Sequence, residues 1–518
     1  MIDYLTVAAL PTSLAWGWPD IFDAISGWLG WPYVLATVHV ALALVTSAHV
    51  VLFKRDVRAA VAWVGVIWLA PPAVGPFLYF IFGINRIQRR ASRLQTTGWS
   101  PENMFEEGVV RLRGTGGAFE PGRSTRSAPS GAVDTHRLAA LRDLVGNVTG
   151  RPLTAGNAVT ALVNGDEGYP AMLDAIDAAR RSIALSTYIF DDDRAGNHFV
   201  KALAAAHDRG VAVRVLIDDV GLRYSRPPIT GLLRARGVPF ATFLKSLLPF
   251  RNPYINLRNH RKILVVDGRV GFTGGLNIRE GCMLALEPAH PVQDMHFRLQ
   301  GPVVRHLMED FALDWGFTTQ EVLQGELWRA EPETAGSIEA RGIPDGPDED
   351  LDATHWTLLG ALAVAEESVR IATPYFIPDQ TLISVLSLAA MRGVDVKIVL
   401  PERGNLRFVQ WASMAQLWQV LINRCEVFLS QAPFDHSKLM VVDDTWALVG
   451  SANWDARSLR LNFEYNVECY DRAFAAQIGA IIDAKIAAGR PLSLEAVNSR
   501  SLLVKLRDGI VRLAAPYL

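Results

Sequence analysis

The chain has 518 residues, enough for two domains or one large duplicated domain. Lys and Arg total 51 against 53 Asp and Glu, so no whole-chain basic field marks a nucleic-acid binder. Its three cysteines, Cys282, Cys425 and Cys469, are odd in number and far apart, which excludes a disulfide framework or a metal-binding spacing and suits a reducing compartment.

In chain order, the N-terminus has no basic n-region, so no cleaved signal peptide is expected. Two apolar stretches follow. Tyr33 to Phe53 carries no charge, only His39 and His49. Ala59 to Phe82 is apolar throughout, with Pro71, Pro72, Gly75 and Pro76 in its middle. Each is long enough to cross a hydrocarbon core of about 30 Å at about 1.5 Å per residue. A two-helix membrane hairpin over 33–83 is the expectation, with its second span kinked or re-entrant at the prolines. Trp28 and Trp31 fit interfacial anchoring better than Trp63 and Trp68, which lie inside the second stretch. Arg86, Arg89, Arg90 and Arg93 after the hairpin favour that side as cytoplasmic, with both termini on it. Residues 84–134 read as a juxtamembrane segment and a Gly/Ser/Pro-rich linker, GTGGAFEPGRSTRSAPS at its centre.

From 135 onward the chain repeats itself. LSTYIFDDD (Leu185 to Asp193) matches IATPYFIPD (Ile371 to Asp379). RGVAVRVLIDD (Arg209 to Asp219) matches RGVDVKIVLPE (Arg392 to Glu402). The offsets are 375−188 = 187 for the tyrosines and 392−209 = 183 for the arginines. Each unit reads helix, strand (STYIF or TPYFI), helix, strand (VAVRVLI or VDVKIVL), as in a mixed sheet covered by helices. One half is expected over 135–335 and the other over 336–518, after an N-terminal segment 1–32 and the hairpin. Ligands should gather at strand ends where the halves meet.

The sharpest repeat is NHRKILVVDGRVGFTGGLN against DHSKLMVVDDTWALVGSANWD. In both, His-x-Lys is followed by four residues and Asp, and then by six residues and Gly: His260, Lys262, Asp267 and Gly274 in one, His436, Lys438, Asp443 and Gly450 in the other, offset by 436−260 = 176. The apolar run after each lysine reads as a buried strand, with His and Lys on one face at its head. An imidazole can be nucleophile or acid–base, and an ammonium binds a phosphate oxygen. A downstream hydroxyl (Ser451) and amides (Asn277, Asn453) add donors for the same oxygens. Two such sets facing each other supply an attacking histidine and a proton-donating one, a phosphodiester-cleaving site built without metal. One copy alone reads as an ordinary strand-end histidine; two matched copies point to function.

These motifs resemble those of the phospholipase D superfamily. With the hydrophobic N-terminal pair, Pro72 to Gly83 (P-x-x-G-P-x-L-Y-x-x-F-G), YIFDDDRAG, GPDED, TPYFIPD and RSLRLNFEYN, the chain resembles the superfamily's bacterial cardiolipin synthases. The resemblance implies a duplicated phospholipase D-like α-β-α sandwich of two pseudo-symmetric halves with mixed sheets. It implies a phosphohistidine mechanism in which His260 attacks phosphorus and His436 protonates the leaving alkoxide. Lys262, Lys438, Asn277 and Asn453 would hold the phosphate oxygens. Asp267 and Asp443 complete the catalytic motif in sequence, with a structural part in the fold. Asp294, 34 residues after His260 (294−260), and Glu464, 28 after His436 (464−436), are the expected histidine-orienting carboxylates; the competing reading pairs them with Arg298 and Arg457. The implied reaction joins two phosphatidylglycerols into cardiolipin and releases glycerol, with no metal or organic cofactor. A hydrolytic phospholipase D, a transferase using another alcohol or phosphatidylethanolamine, and a non-catalytic membrane scaffold are the rivals. The expected partners are phospholipids and the bilayer of the bacterial inner membrane, not nucleic acid, and the sequence is silent on oligomeric state.

The copies differ in detail. The first motif has Gly275 where the second has Ser451, so only one half supplies a hydroxyl. Asp435 precedes His436, either raising its pKa or turning to solvent. Phe243 to Tyr254 is an apolar loop with Lys245 and Arg251 that can admit acyl chains or pack in the core. Near the C-terminus Leu502, Leu503, Leu506, Ile510 and Leu513 form a helical stripe with Lys505, Arg507 and Arg512 off it. Capping the fold is the expectation for this stripe, and lying on the bilayer the alternative.

Overall fold

A computed structural model describes residues 18–54, 57–83, 135–245, 257–330, 332–346 and 352–513. The linker, most of the Phe243 to Tyr254 loop, the GPDED segment after Gly346 and the side chains of Trp28 and Trp31 lie outside the described residues. The chain divides into an N-terminal unit, Met1–Arg86, and a body, Ile87–Leu518.

In the N-terminal unit one helix spans Trp18–Phe53, and its Tyr33–Phe53 portion is long and apolar enough to cross a membrane. The second apolar stretch is not one continuous helix. It runs from Val57 to Leu69, breaks at Pro71 and Pro72 with Ala73 left-handed (φ 66°), and resumes as Val74–Leu78 and a wide turn, Tyr79–Gly83. Proline removes an amide donor and clashes with the preceding turn, so two in succession end the helix. The resumed piece folds back on the helix before it. A Cβ on Gly75 would lie 2.5 Å from the Val66 carbonyl oxygen, so only glycine allows this approach. Tyr79 is buried with Ala43, Val50 and Ile67, and its hydroxyl lies 3.0 Å from His49 Nδ1. Of the two expected spans, only the first is a helix of membrane-crossing length among the described residues.

The body is built on one mixed sheet. Counting strands of four residues or more, the first half contributes β1 (Thr154–Val163), β2 (Ser182–Thr187), β3 (Ala212–Asp218), β4 (Phe240–Phe243), β5 (Ile263–Val266), β6 (Val270–Gly274) and β7 (Met295–Gln300). The second contributes β8 (Ile338–Asp345), β9 (Ser368–Ala372), β10 (Asp395–Pro401), β11 (Glu426–Ser430), β12 (Leu439–Val442), β13 (Trp446–Gly450) and β14 (Asn462–Tyr470). The spatial order is β11-β10-β9-β12-β13-β14-β8-β1-β7-β6-β5-β2-β3-β4. Read outward from the β1–β8 pair, the two sequences of strands are the same, so the repeat in the sequence is a repeat in the fold. In each half two parallel pairings at the outer edge (β2–β3–β4, β9–β10–β11) give way to antiparallel ones inward. The strand expected at STYIF ends one residue before Tyr188, which frees that ring from the ladder.

Helices pack on the sheet around three buried cores. Val304–Thr319 of the first half and Arg472–Ala488 of the second share one core, where Phe311, Trp315, Phe474 and Ile478 are buried with residues of both halves. Each half also has an outer core, around Phe199 and Leu203 in the first and Leu382 and Leu386 in the second. Matched Asp N-caps start the outer helices: Asp193 accepts from the Gly196 N–H at 2.9 Å and Asp379 from the Leu382 N–H at 2.9 Å.

The C-terminal helix Leu502–Arg512 does not cap the fold with its apolar stripe. It docks through Val504, Asp508 and Val511, and the leucines face outward.

Candidate active site

Each His-x-Lys precedes a short, fully buried strand, β5 or β12, whose four apolar residues fix the direction of the motif. The aspartates at the far ends of these strands act on the backbone. Asp267 accepts from the N–H groups of Arg180, Arg181 and Ser182, the closest at 2.7 Å; Asp443 accepts from Glu366, Glu367 and Ser368, the closest at 2.8 Å. Both adopt positive φ, 53° and 51°. They tie the turn ahead of β2 or β9 to the motif strand and lie a whole strand away from the histidines. Their place is in the scaffold.

The residues just before each histidine cross to the other half. Arg258–Asn259 pairs in parallel with Asn462–Phe463, and the His260 N–H donates to the Phe463 carbonyl at 2.8 Å. Symmetrically, Phe434–Asp435 pairs with Val292–Gln293, and the His436 N–H donates to the Gln293 carbonyl at 2.7 Å. Each imidazole is thereby handed to the opposite half's carboxylate. His260 Nδ1 lies 2.9 Å from Glu464 Oε2, and His436 Nδ1 lies 2.7 Å from Asp294 Oδ2. The pairing that the intervals along the chain suggested, Asp294 with His260 and Glu464 with His436, is corrected: the bonds are crossed. Each carboxylate thus holds a motif histidine, as the orienting reading requires.

An ionised carboxylate on Nδ1 fixes the tautomer with Nδ1 protonated, leaving Nε2 with its lone pair. Burial pushes His260 down to about 4 despite Glu464, and burial together with Lys438 lowers His436. Glu464 and Asp294 stay below their ordinary values because the histidine and lysines outweigh burial. Lys262 and Lys438 are both buried, and burial lowers them to about 7 and about 8. Each ammonium donates to the carbonyl of the histidine two residues before it, Lys262 to His260 at 2.7 Å and Lys438 to His436. The electrostatics also cross the halves: Lys438 opposes protonation of His260, and Lys262 that of His436. Two imidazoles and two ammoniums from distant parts of the chain thus share one buried locus, where Glu464 and Asp294 offset the charge of the two lysines.

The amides and the hydroxyl divide differently than expected. Asn277 Oδ1 accepts from the Ile189 N–H at 3.1 Å, which leaves the amide nitrogen as the group it offers an anion. Asn453 Nδ2 donates to Ser458 Oγ at 3.0 Å, and its Oδ1 is buried without a partner. Turning this amide by 180° lets Ser458 donate instead and presents NH2 where the unpartnered oxygen lies. Ser451, expected on the phosphate, is instead committed to the scaffold: its hydroxyl donates to Glu464 Oε2 at 2.6 Å and accepts from the Tyr465 N–H at 2.9 Å. Gly275 occupies the equivalent place, and a Cβ there would lie 2.0 Å from Asp294 Oδ1. The glycine leaves room for the shorter carboxylate, and the serine braces the longer one. Asp435 neither touches His436 nor faces solvent. It is buried, paired with Lys485 at 2.7 Å, and receives the Ser437 N–H and hydroxyl.

Sequence reasoning missed two rings. Tyr188 stands edge-on to His260 with centroids 4.9 Å apart, and Lys262 Nζ lies 5.6 Å from the same ring. Tyr375 stands edge-on to His436 at 6.3 Å. Their shared offset in the repeat was the available signal. Arg261, between His260 and Lys262, is buried against Asp314 at 3.0 Å and is structural. Among the described residues no cluster of three His, Cys, Asp or Glu is placed to hold a metal ion, and Cys282, Cys425 and Cys469 are free and buried.

A family model described as "Cardiolipin synthase, PLD-like domain" matches residues 172–315 and 358–486, one segment in each half. The chain belongs to this phospholipase D-like family. Cardiolipin synthase A of Pseudomonas putida (strain GB-1) is 31% identical over 496 residues, 94% of this chain and 98% of the relative. The major cardiolipin synthase of Bacillus subtilis (strain 168) is 31% identical over 476 residues, 91% of this chain and 96% of the relative. Among solved structures, the phosphatidylserine synthase of Haemophilus influenzae Rd KW20 aligns with a TM-score of 0.56 and 16% identity, covering 73% of this chain and all of that one. That likeness shows the fold. Membership of the family accounts for both motif copies sitting at equivalent ends of the two halves.

Proposed function

We propose that the protein is a phosphatidyl transferase that makes cardiolipin from two phosphatidylglycerols and releases glycerol. The observation that carries this reading is the crossed pairing, each motif histidine held by the other half's carboxylate and accompanied by a buried lysine. Curated relatives named as cardiolipin synthases, matched over nearly their whole length, supply the substrate class.

The geometry gives each group a task. His260, neutral because burial holds it near 4, presents Nε2 to the phosphorus of one phosphatidylglycerol. Lys262, Lys438, Asn277 and Asn453 hold the non-bridging oxygens and stabilise the charge that builds in the pentacoordinate transition state. The arriving diester anion offsets the burial that lowers His436, so His436 carries the proton that leaves with glycerol. A second phosphatidylglycerol then enters, His436 accepts the proton of its terminal hydroxyl, and the oxygen displaces His260. Glu464 and Asp294 hold the two rings in register and balance each imidazolium as it forms. Water must be kept from the phosphohistidine for transfer to prevail over hydrolysis.

The same reading places the protein in the bacterial inner membrane, held by Tyr33–Phe53. We take Val57–Gly83 as a broken second crossing, and the arginines after it as marking the cytoplasmic face. Purified full-length protein in phosphatidylglycerol vesicles, alone and with added phosphatidylethanolamine, tests the chemistry. Cardiolipin and free glycerol should accumulate together, and His260→Ala should abolish both. Phosphatidic acid as the sole lipid product, or full activity in His260→Ala, would overturn it.

A further inference from the structure

The C-terminal helix Leu502–Arg512 is built inside out for a soluble protein. The face turned to the body carries a carboxylate: Asp508 is buried, bonded to Arg500 at 2.6 Å and to Arg507 at 2.7 Å, and Arg500 also donates to the Met414 carbonyl at 3.0 Å. The face turned away is aliphatic. Leu502 is 79% exposed, Leu503 78% and Leu513 78%, with Leu506 and Ile510 exposed between them. At helical spacing the five fall within an arc of about 100°, the width of a stripe that normally seeks a core. Lys505 and Arg512 flank that arc on one side and Arg507 on the other.

The surface continues toward the active site. Arg507 stacks on Trp411 with its guanidinium carbon 4.0 Å from the ring centroid, and Trp411 meets the exposed Phe408 edge-on at 5.4 Å. Beneath the helix, Val511 packs with Val409, Ala412, Ile377 and Tyr375. Tyr375 is the ring that stands against His436. A pocket with about 450 Å³ of empty space, open to solvent, lies between Tyr375 and the Arg407–Met414 helix and is lined by Leu406, Val409 and Leu417 among others.

We infer that Leu502–Arg512, with Phe408 beside it, is a second membrane-contact element that lays the second half of the catalytic body on the surface of an anionic bilayer. The commitment to lipid rests on three features. An aliphatic arc flanked by cations suits the boundary between acyl chains and acidic headgroups. The clamp at Asp508 fixes which face points outward. The apolar surface leads by direct packing to the tyrosine at His436, where a lipid phosphate would be processed. This inference rests on the proposed lipid chemistry for its purpose, but its test does not depend on turnover.

The three native cysteines are buried, so a single added cysteine can be labelled selectively. Full-length Leu506→Cys carrying an environment-sensitive fluorophore is reconstituted in phosphatidylglycerol vesicles containing doxyl-labelled lipid. Lys201→Cys, on an exposed helix position of the first half, is the control. The label at 506 should be shifted to the blue and quenched several-fold more than that at 201. Lys505→Glu with Arg512→Glu should reduce the quenching in anionic vesicles. Quenching no greater than at the control site overturns the inference. So does a label shielded from water yet unquenched by lipid and dependent on protein concentration, which would mark the face as a contact between copies of the chain. Insertion without cardiolipin formation would leave the inference standing and count against the proposed reaction; cardiolipin formation without insertion would do the reverse.

Discussion

The crossed carboxylates make a prediction that a within-half arrangement does not. Glu464→Gln removes the charge that holds His260, and Asp294→Asn removes the one that holds His436. Both carboxylates are essentially without solvent contact, and both histidines are buried. Each imidazole becomes positively charged in the step it serves, and without its carboxylate that buried charge is left uncompensated, at a cost of about 3–5 kcal/mol. At about 1.36 kcal/mol per tenfold, that is a loss of roughly 10²- to 10⁴-fold for whichever step the histidine serves. The steps can be separated with a phosphatidyl ester of p-nitrophenol, whose leaving group departs without an acid. In rapid mixing, Asp294→Asn should keep a burst of p-nitrophenol near the native rate, because His260 and Glu464 are intact, while its steady state is slow. Glu464→Gln should lose the burst itself. A burst lost in Asp294→Asn and kept in Glu464→Gln would refute the assignment, and equal effects on both phases in both variants would refute the division of labour.

Three further outcomes follow from the same structure. Gly275→Ser puts a Cβ 2.0 Å from Asp294 Oδ1, so steady-state transfer should fall at least about 100-fold, while Ser451→Gly, which removes a brace from Glu464, should act on the burst phase instead; a fully active Gly275→Ser would show that Asp294 can move freely. Asp267→Ala and Asp443→Ala each strip three backbone N–H groups of their acceptor and should lower stability by about 1–3 kcal/mol, read as a fall in Tm, with kcat little changed below the transition; a lost kcat at native Tm would move these aspartates into the chemistry. In pH profiles, kcat/KM should hold down to about 4 on the acid side as far as His260 sets it, and the diester affinity of the free enzyme should weaken above about 7 as Lys262 deprotonates. Stability runs otherwise: as pH falls from 6.5 toward 4 the unfolded chain takes up the His260 proton first and stability drops, whereas from 7 to 10.5 the unfolded chain holds the Lys262 proton longer and stability rises with pH. An acid limb at or above 6.5 would show that His260 is not held neutral by burial.

Much of the architecture was legible in the chain because it is local and repeated. VAVRVLI and VDVKIVL are strands β3 and β10, and ILVV and LMVV are β5 and β12, since continuous apolar runs bounded by turn residues have few other uses. The helix expected after the first strand of each half starts at a capping aspartate, Asp193 or Asp379. Features made by contacts between distant segments were not legible. Nothing local in Arg258–Asn259 says that it pairs with Asn462–Phe463, and that two-residue pairing is what crosses the carboxylates. The Gly275 and Ser451 difference read as a missing hydroxyl; in space it compensates for an Asp against a Glu. Periodicity found the stripe at Leu502–Leu513 but could not say which face docks, because that depends on the buried Arg500–Asp508 pair. In the second apolar stretch the prolines that pointed to a kinked or re-entrant span do split the helix, at Pro71-Pro72.

The central claim is that one imidazole, from the first half, becomes covalently bonded to phosphorus while the other only moves protons. Rapid quench of the His436→Ala protein with the p-nitrophenyl substrate, followed by mass-spectrometric mapping at alkaline pH, tests it directly. The account predicts a stoichiometric phosphatidyl adduct on the peptide containing His260. An adduct elsewhere in the chain, or undiminished p-nitrophenol release with no adduct at any residue, would contradict it.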